Sequence, residues 1–268
     1  MRKKWKYYEN DNKEEAIKLE EKFNVNQLLA MIMANRGITE KNAEIFLNPN
    51  RHDFHDPFKM PDMEEAVNRI VKAIENNEKT IIFGDYDVDG ITSTTVLKSF
   101  LKDRGLDVGN YIPNRLKEGY GLNKDAIEKI AKDGYTLMIT VDCGITGNEE
   151  IEFAKSLGIE TIVTDHHEPA EELPNAIAVV DCKRKDNKYP FRELAGVGVA
   201  FKLTQAISIK LGLDEKEYLK YLDIVSIGTI SDIVPLVDEN RVITKLGLKL
   251  VRCTKNIGLK AILNEIRI

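Results

Sequence analysis

Apolar positions along the chain follow two rhythms. Short runs dominated by apolar and β-branched residues, Thr80–Phe83, Thr136–Val141, Ile159–Thr164 and Ala176–Val180, read as strands buried on both faces. Val108–Ile112 is a further short strand that ends at Pro113. Between these runs the apolar residues recur at helical spacing, which predicts helices over Asp62–Glu75, Ile91–Leu101, Asn123–Lys132 and Asn148–Leu157. Strands alternating with helices imply a mainly parallel five-stranded α/β sheet flanked by helices and joined by right-handed crossovers. Upstream, Ala16, Leu19, Phe23, Leu28 and Ile32 mark one helix within Glu14–Met33, and Thr39 with Glu40 opens another. Residues 1–57 therefore read as a helical lead-in and residues 58–268 as the main domain. Downstream, helices are expected over Gly196–Leu211 and Leu219–Ile230, with a closing helical or mixed segment over Gly247–Ile266.

The strand ends carry the chemistry. Parallel α/β sheets collect ligands outside the carboxyl ends of their strands. Asp85, Asp87, Asp89 and Gly90 follow the first strand directly, Asp142 follows Val141, and Asp165, His166 and His167 close the run at Thr164. Asp232 sits in the apolar stretch Ile227–Leu236, where an ionised carboxylate needs a partner. An acidic turn with one aspartate capping the next helix would use some of the same residues. Carboxylates joined by one or two imidazoles suit hard divalent cations, here a pair of Mn²⁺ or Mg²⁺ about 3.5–4 Å apart sharing a carboxylate and a water. Zinc would more often bring cysteines or several histidines. Such a pair points to phosphoester hydrolysis. In an extended chain His166 and His167 face opposite sides, so one can bind metal while the other meets substrate.

Charge and composition narrow the setting. The net charge of −5 over 268 residues gives no global attraction to nucleic acid, so any such contact must be local. Arg115, Lys117 and Lys202 are the basic candidates for backbone contact. Cys143, Cys182 and Cys253 lie far apart without zinc spacing, which fits a reducing cytosol. The charged N-terminus and the lack of a run long enough to span a membrane favour a cytoplasmic protein without a membrane partner. His52 and His55, in a loop-like stretch with Asp53 and Pro57, read as surface or packing histidines.

Four segments carry a family resemblance: Gly84-Asp85-Tyr86-Asp87-Val88-Asp89-Gly90, Val141-Asp142-Cys143-Gly144, Asp165-His166-His167 and Gly228-Thr229-Ile230-Ser231-Asp232. They resemble the successive motifs of the DHH phosphoesterases. Pro113-Asn114-Arg115, Glu118-Gly119-Tyr120-Gly121-Leu122 and Ala195-Gly196-Val197-Gly198-Val199-Ala200-Phe201-Lys202 narrow the likeness to the bacterial RecJ branch, 5′→3′ exonucleases of single-stranded DNA in repair and recombination. The resemblance implies metal ligation by Asp87, Asp89, Asp142, His166 and Asp232, with Asp142 bridging and Asp85 ligating or supporting one ion. It implies that His167 meets the scissile phosphate or leaving group and that Arg115 meets a DNA phosphate. Single-stranded DNA would be the substrate, and a single-strand-binding protein and a repair helicase the partners. Two departures stand out. Phe83 occupies a position where some relatives, such as manganese pyrophosphatases, carry a metal-binding histidine. The second domain and the OB-fold of such enzymes have no visible counterpart here, so the chain reads as a catalytic core. Alternative readings stay open: a DHH phosphodiesterase for short oligonucleotides, cyclic dinucleotides or pyrophosphate, a haloacid-dehalogenase-like phosphatase phosphorylated on Asp87, or a DNA-binding module without catalysis.

Overall fold

The computed structural model describes residues 12–266, and the part of the expected lead-in over residues 1–11 lies outside them. The chain forms two compact units, Met1–Asp53 and Phe54–Ile268. In the first, α1 (Lys13–Phe23), α2 (Gln27–Asn35) and α3 (Ala43–Leu47) are separate helices. The continuous apolar pattern over Glu14–Met33 breaks because Asn24 turns left-handed at φ 50° and the Asn26 side chain caps α2 by accepting from Leu29 N at 2.9 Å. Thr39 does not open α3, because its N–H donates to Asn42 Oδ1 at 2.7 Å and closes a turn instead.

The second unit begins with α4 (Met63–Glu75) and continues β1 (Thr80–Gly84), α5 (Val88–Lys102), β2 (Val108–Tyr111), α6 (Lys124–Lys132), β3 (Leu137–Val141), α7 (Asn148–Ser156), β4 (Glu160–Asp165) and β5 (Ala178–Asp181). The strands form one sheet in the order β2-β1-β3-β4-β5, and every pair is parallel. Side chains alternate between its faces, as the pleat requires. Ile82, Ile139, Val141, Ile162 and Val180 enter the main core with α4, α5 and α8 (Gly196–Lys210), while Ile81, Phe83 and Met138 pack with α6 on the other face.

Of the next helices, α9 (Lys216–Leu219) packs on α8, α10 (Leu222–Ser231) on α5 and α8, and α11 (Asp238–Val251) along α10, and α12 (Ile257–Glu265) closes the chain. The helix expected over Leu219–Ile230 is thus two, α9 and α10. The closing segment expected over Gly247–Ile266 is the end of α11, which starts already at Asp238, followed by α12; Gly247 is an interior contact, since a Cβ there would collide with Leu222 O and the Ser226 side chain on α10.

Candidate metal centre

The strand order reverses between β1 and β3, which opens a crevice at their carboxyl ends. Gly84 is paired with Val141 across that boundary, so Asp85 and Asp142 leave the sheet side by side. Val141 is in turn paired with Thr164, and Asp142 N donates to Thr164 O at 3.1 Å. That bond holds Asp142 in the left-handed region, φ 59°, which few non-glycine residues adopt and which turns its carboxylate over the sheet rim. The next strand delivers Asp165, His166 and His167 to the same rim.

Helix ends complete the cluster. α5 starts at Val88 rather than Ile91, so Asp87 is its N-cap and accepts from Gly90 N at 2.9 Å. Asp89 therefore lies in the first helical turn, facing the start of α8. Its two oxygens accept Gly196 N at 2.6 Å and Val197 N at 2.8 Å, capping a helix whose own N-cap, Ala195, has no side-chain donor or acceptor to offer. Only glycine fits at 196, because a Cβ there would lie 2.5 Å from Asp142 Oδ1. α10 ends on Asp232, which brings in the last carboxylate.

Around His166 the groups close to contact distance. Its Nε2 lies 3.1 Å from Asp142 Oδ1 and 3.7 Å from Asp89 Oδ2, and its Nδ1 lies 3.7 Å from Asp232 Oδ2. Three sets, Asp85/Asp87/Asp142, Asp89/His166/Asp232 and Asp142/His166/His167, each bring ligand atoms within 4.8 Å of one another. Asp142 and His166 belong to two sets each. Asp85, Asp89 and Asp142 are each no more than 3% exposed, so their negative charges meet little water. Burial, followed by the neighbouring Asp165 and Asp87, pushes the Asp142 carboxyl up to about 9. Burial and Asp142 push Asp89 well above the carboxylate range, and burial and Asp87 raise Asp85. Among the described residues Asp85 Oδ1 and His166 Nδ1 are buried without a hydrogen-bond partner. The arrangement can accept cations.

Asp165 behaves differently. Burial raises it, but its bonds to His167, Ile145 N and His166 N outweigh that and leave it below the usual range. Its Oδ1 lies 2.7 Å from His167 Nδ1, and Oδ2 accepts Ile145 N at 3.0 Å. That contact with Asp165 raises His167 to about 9, against burial, and leaves Nε2 turned elsewhere. Tyr120 meets the His167 ring edge-on at 6.1 Å, Tyr86 meets Tyr120 at 6.4 Å, and Arg115 stands 5.2 Å over Tyr86. A cavity of about 420 Å³ opens beside His167, lined in part by Tyr120, Leu122, Gly144 and Asp165. Asp165 holds the His167 ring, and Tyr120 and Tyr86 pack beside it, contacts that motif spacing alone does not assign. The sequence marks Asp165 by its place at a strand end and in the Asp165-His166-His167 motif, without giving it a role of its own.

The predicted site residues Asp85, Asp87, Asp89, Asp142, His166, His167 and Asp232 all converge here. Arg115 and Lys117 are exposed on the loop beyond β2. Lys202 is a correction: it does not face nucleic acid but is fully buried, paired with Glu239 at 2.9 Å and donating to His55 O at 2.6 Å. α8 is buried on all sides from Gly196 to Ser208, so its lysine is a core cation among candidates expected at the surface. His55 pairs with Asp238 at 2.8 Å, as befits a packing histidine. Phe83 is buried and stacked on Tyr111 at 5.3 Å, on the sheet face away from the main core.

The DHH family, N-terminal domain, matches residues 79–229, the span that carries the first three motifs and reaches into the fourth. The chain belongs to the DHH family. A Bacillus subtilis protein named single-stranded-DNA-specific exonuclease RecJ is 48% identical over 246 residues, 91% of this chain and 30% of its own length. The Thermus thermophilus protein of that name is 36% identical over 198 residues, 74% of this chain and 29% of its own length. The chain thus spans about a third of these curated relatives. The crystal structure of Thermus thermophilus RecJ in complex with Mn²⁺ has a TM-score of 0.79 at 29% identity, covering 94% of this chain and 35% of that one. A crystal structure of exonuclease RecJ bound to manganese has a TM-score of 0.71 at 34% identity, covering 77% of this chain and 52% of that one. Both likenesses agree with the DHH fold and its five-stranded parallel sheet. Among the described residues no helix is long and apolar enough to cross a membrane.

Proposed function

We propose that this chain is the catalytic core of a two-metal exonuclease that hydrolyses single-stranded DNA from the 5′ end and releases 5′-mononucleotides. The observation that carries the reading is the sharing of Asp142 and His166 between sets of ligand atoms confined within 4.8 Å. The donor set fits hard divalent ions, Mn²⁺ or Mg²⁺, because it is almost all carboxylate and includes buried oxygen and nitrogen atoms without partners. Asp85, Asp87 and Asp142 would hold one ion and Asp89, His166 and Asp232 the other, with Asp142, whose Oδ1 lies 3.1 Å from His166 Nε2, placed to serve both. When bound, such a pair supplies Lewis acidity toward the phosphoryl oxygens and lowers the pKa of water.

The chain's own residues complete the chemistry. His167, held by Asp165, which raises its pKa, faces the scissile phosphodiester and can hand a proton to the departing 3′ oxygen. Arg115 and Lys117 offer charge to the flanking phosphates. Gly196 N and Val197 N neutralise part of the Asp89 charge and orient it without occupying all its lone pairs. Residues 58–268 form the DHH phosphoesterase domain in this reading, which acts in DNA repair and recombination in the cytoplasm beside a single-strand-binding protein and a repair helicase. Release of label from 5′- and 3′-labelled single strands, with and without Mn²⁺, tests it. Mn²⁺-dependent mononucleotide release from the 5′ end is expected, and wild-type activity in an Asp142→Ala variant would refute the assignment.

A further inference from the structure

A second buried polar cluster lies along α8 and at the start of α11, outside the carboxylate rim. Lys202 and Glu239 are both fully buried and pair at 2.9 Å. Lys202 Nζ also donates to His55 O at 2.6 Å, while Glu239 Oε1 accepts His55 N at 2.9 Å and its Oε2 accepts the Tyr189 hydroxyl. The neighbouring Asn240 is buried as well, and its amide donates to Glu193 O at 2.5 Å and to Pro235 O at 3.1 Å. A buried ion pair is a weak source of stability, since desolvation cancels most of its attraction. Its best-attested use is to enforce one arrangement of the elements that carry it.

The elements tied here are those that present the rim. Lys202 is on the helix whose first two N–H groups hold Asp89, and Glu193 lies just ahead of that helix. Pro235 lies in the short segment between Asp232 and α11, and α11 packs along α10, which ends on Asp232. We propose that Lys202, Glu239 and Asn240 form a positioning clasp that fixes the start of α8 against the segment after Asp232, and so sets the spacing of Asp89 and Asp232 for the cation they share. The inference rests on the two-metal reading above and adds residues to it that touch neither metal nor DNA.

Binding of Mn²⁺ to the purified chain by titration calorimetry, read beside thermal melting of the same EDTA-stripped samples, tests the clasp. K202M/E239L replaces the pair with apolar groups and leaves no lone buried charge, but it strands His55 N, His55 O and the Tyr189 hydroxyl, so a folded protein with a lowered melting temperature is expected. Its Mn²⁺ affinity is expected to fall by about tenfold or more, the scale of losing an outer group that orients a ligand. Asn240→Ala, which removes only the two amide bonds, is the second variant and should lose affinity in the same direction. Wild-type affinity in a folded K202M/E239L or Asn240→Ala protein would overturn the clasp, even if the melting temperature moved. A wild-type chain that takes up no Mn²⁺ would sink the two-metal reading and the clasp together.

Discussion

The two rims of the sheet handle charge in opposite ways. At the amino ends, Arg69 donates to Glu78 at 2.6 and 2.8 Å and to Glu160 at 2.6 Å, and Glu78 also accepts the Thr136 hydroxyl at 2.7 Å. Arg69, Glu78 and Glu160 there meet opposite charges, and Arg69 holds the Glu78 carboxyl below its usual range. At the carboxyl ends Asp85, Asp89, Asp142 and Asp232 are all raised, with burial as the first cause, and their ion pairs run through imidazoles. One rim meets its opposite charges within the chain, and the other keeps Asp85 Oδ1 and His166 Nδ1 buried without a hydrogen-bond partner among the described residues. Structure and function divide along that line.

Breaking the carboxyl rim should have the largest effect. Asp142→Ala is expected to lower Mn²⁺-dependent nuclease rates on the order of 10³-fold, because the group shared by two ligand sets is lost. The same variant should melt no lower than wild type in EDTA, since a buried, repelled carboxylate has been removed. A lower melting temperature would mean that the rim is structural like its opposite. Saturating Mn²⁺ should stabilise the wild-type chain by ~2.7 kcal/mol at a hundredfold excess over Kd, and Asp142→Ala should lose that gain.

The amino rim supplies the control. Arg69→Met is expected to cost ~2 kcal/mol in urea unfolding, through stranded partners of charged hydrogen bonds, while Mn²⁺ affinity stays at the wild-type value. Changed affinity would show the two rims to be coupled.

Protons sharpen the contrast. The folded Asp142 carboxyl titrates near 9, whereas an unfolded aspartate titrates at about 3.9. The folded state therefore holds the extra proton between those values, and this group's contribution to stability falls as pH rises through them. Mn²⁺ must displace that proton, so calorimetry in buffers of different ionisation enthalpy should detect proton release at pH 7, and affinity should weaken from pH 8 to pH 6. Affinity independent of pH would contradict the raised carboxyl. The smallest effect is expected from Arg115→Ala, an exposed cation: KM for single strands should rise by roughly two- to fivefold and the salt dependence should flatten, with kcat little changed.

Much of this was legible before any coordinates. The strand runs and their polar endings predict the parallel sheet and six of the seven rim residues, because a strand buried on both faces has few ways to place a polar terminus except at the rim; Asp232, at a helix end, is marked by its apolar surroundings. Errors came where a local pattern had two solutions. A helix can start at Val88 or Ile91 on periodicity alone, and the start is decided by Asp87 accepting Gly90 N. Lys202 looked like surface because lysine is seldom fully buried, and its partner Glu239 is remote in sequence.

By itself, then, the order of residues determined which carboxylates and imidazoles reach the rim, since strand periodicity acts locally. Tertiary structure decided which carboxylates are shared, that Asp89 also caps α8, that Asp165 steadies His167, and which lysine is core. Those outcomes depend on distances between segments far apart in the chain, and burial gives them their energy only once the segments have met.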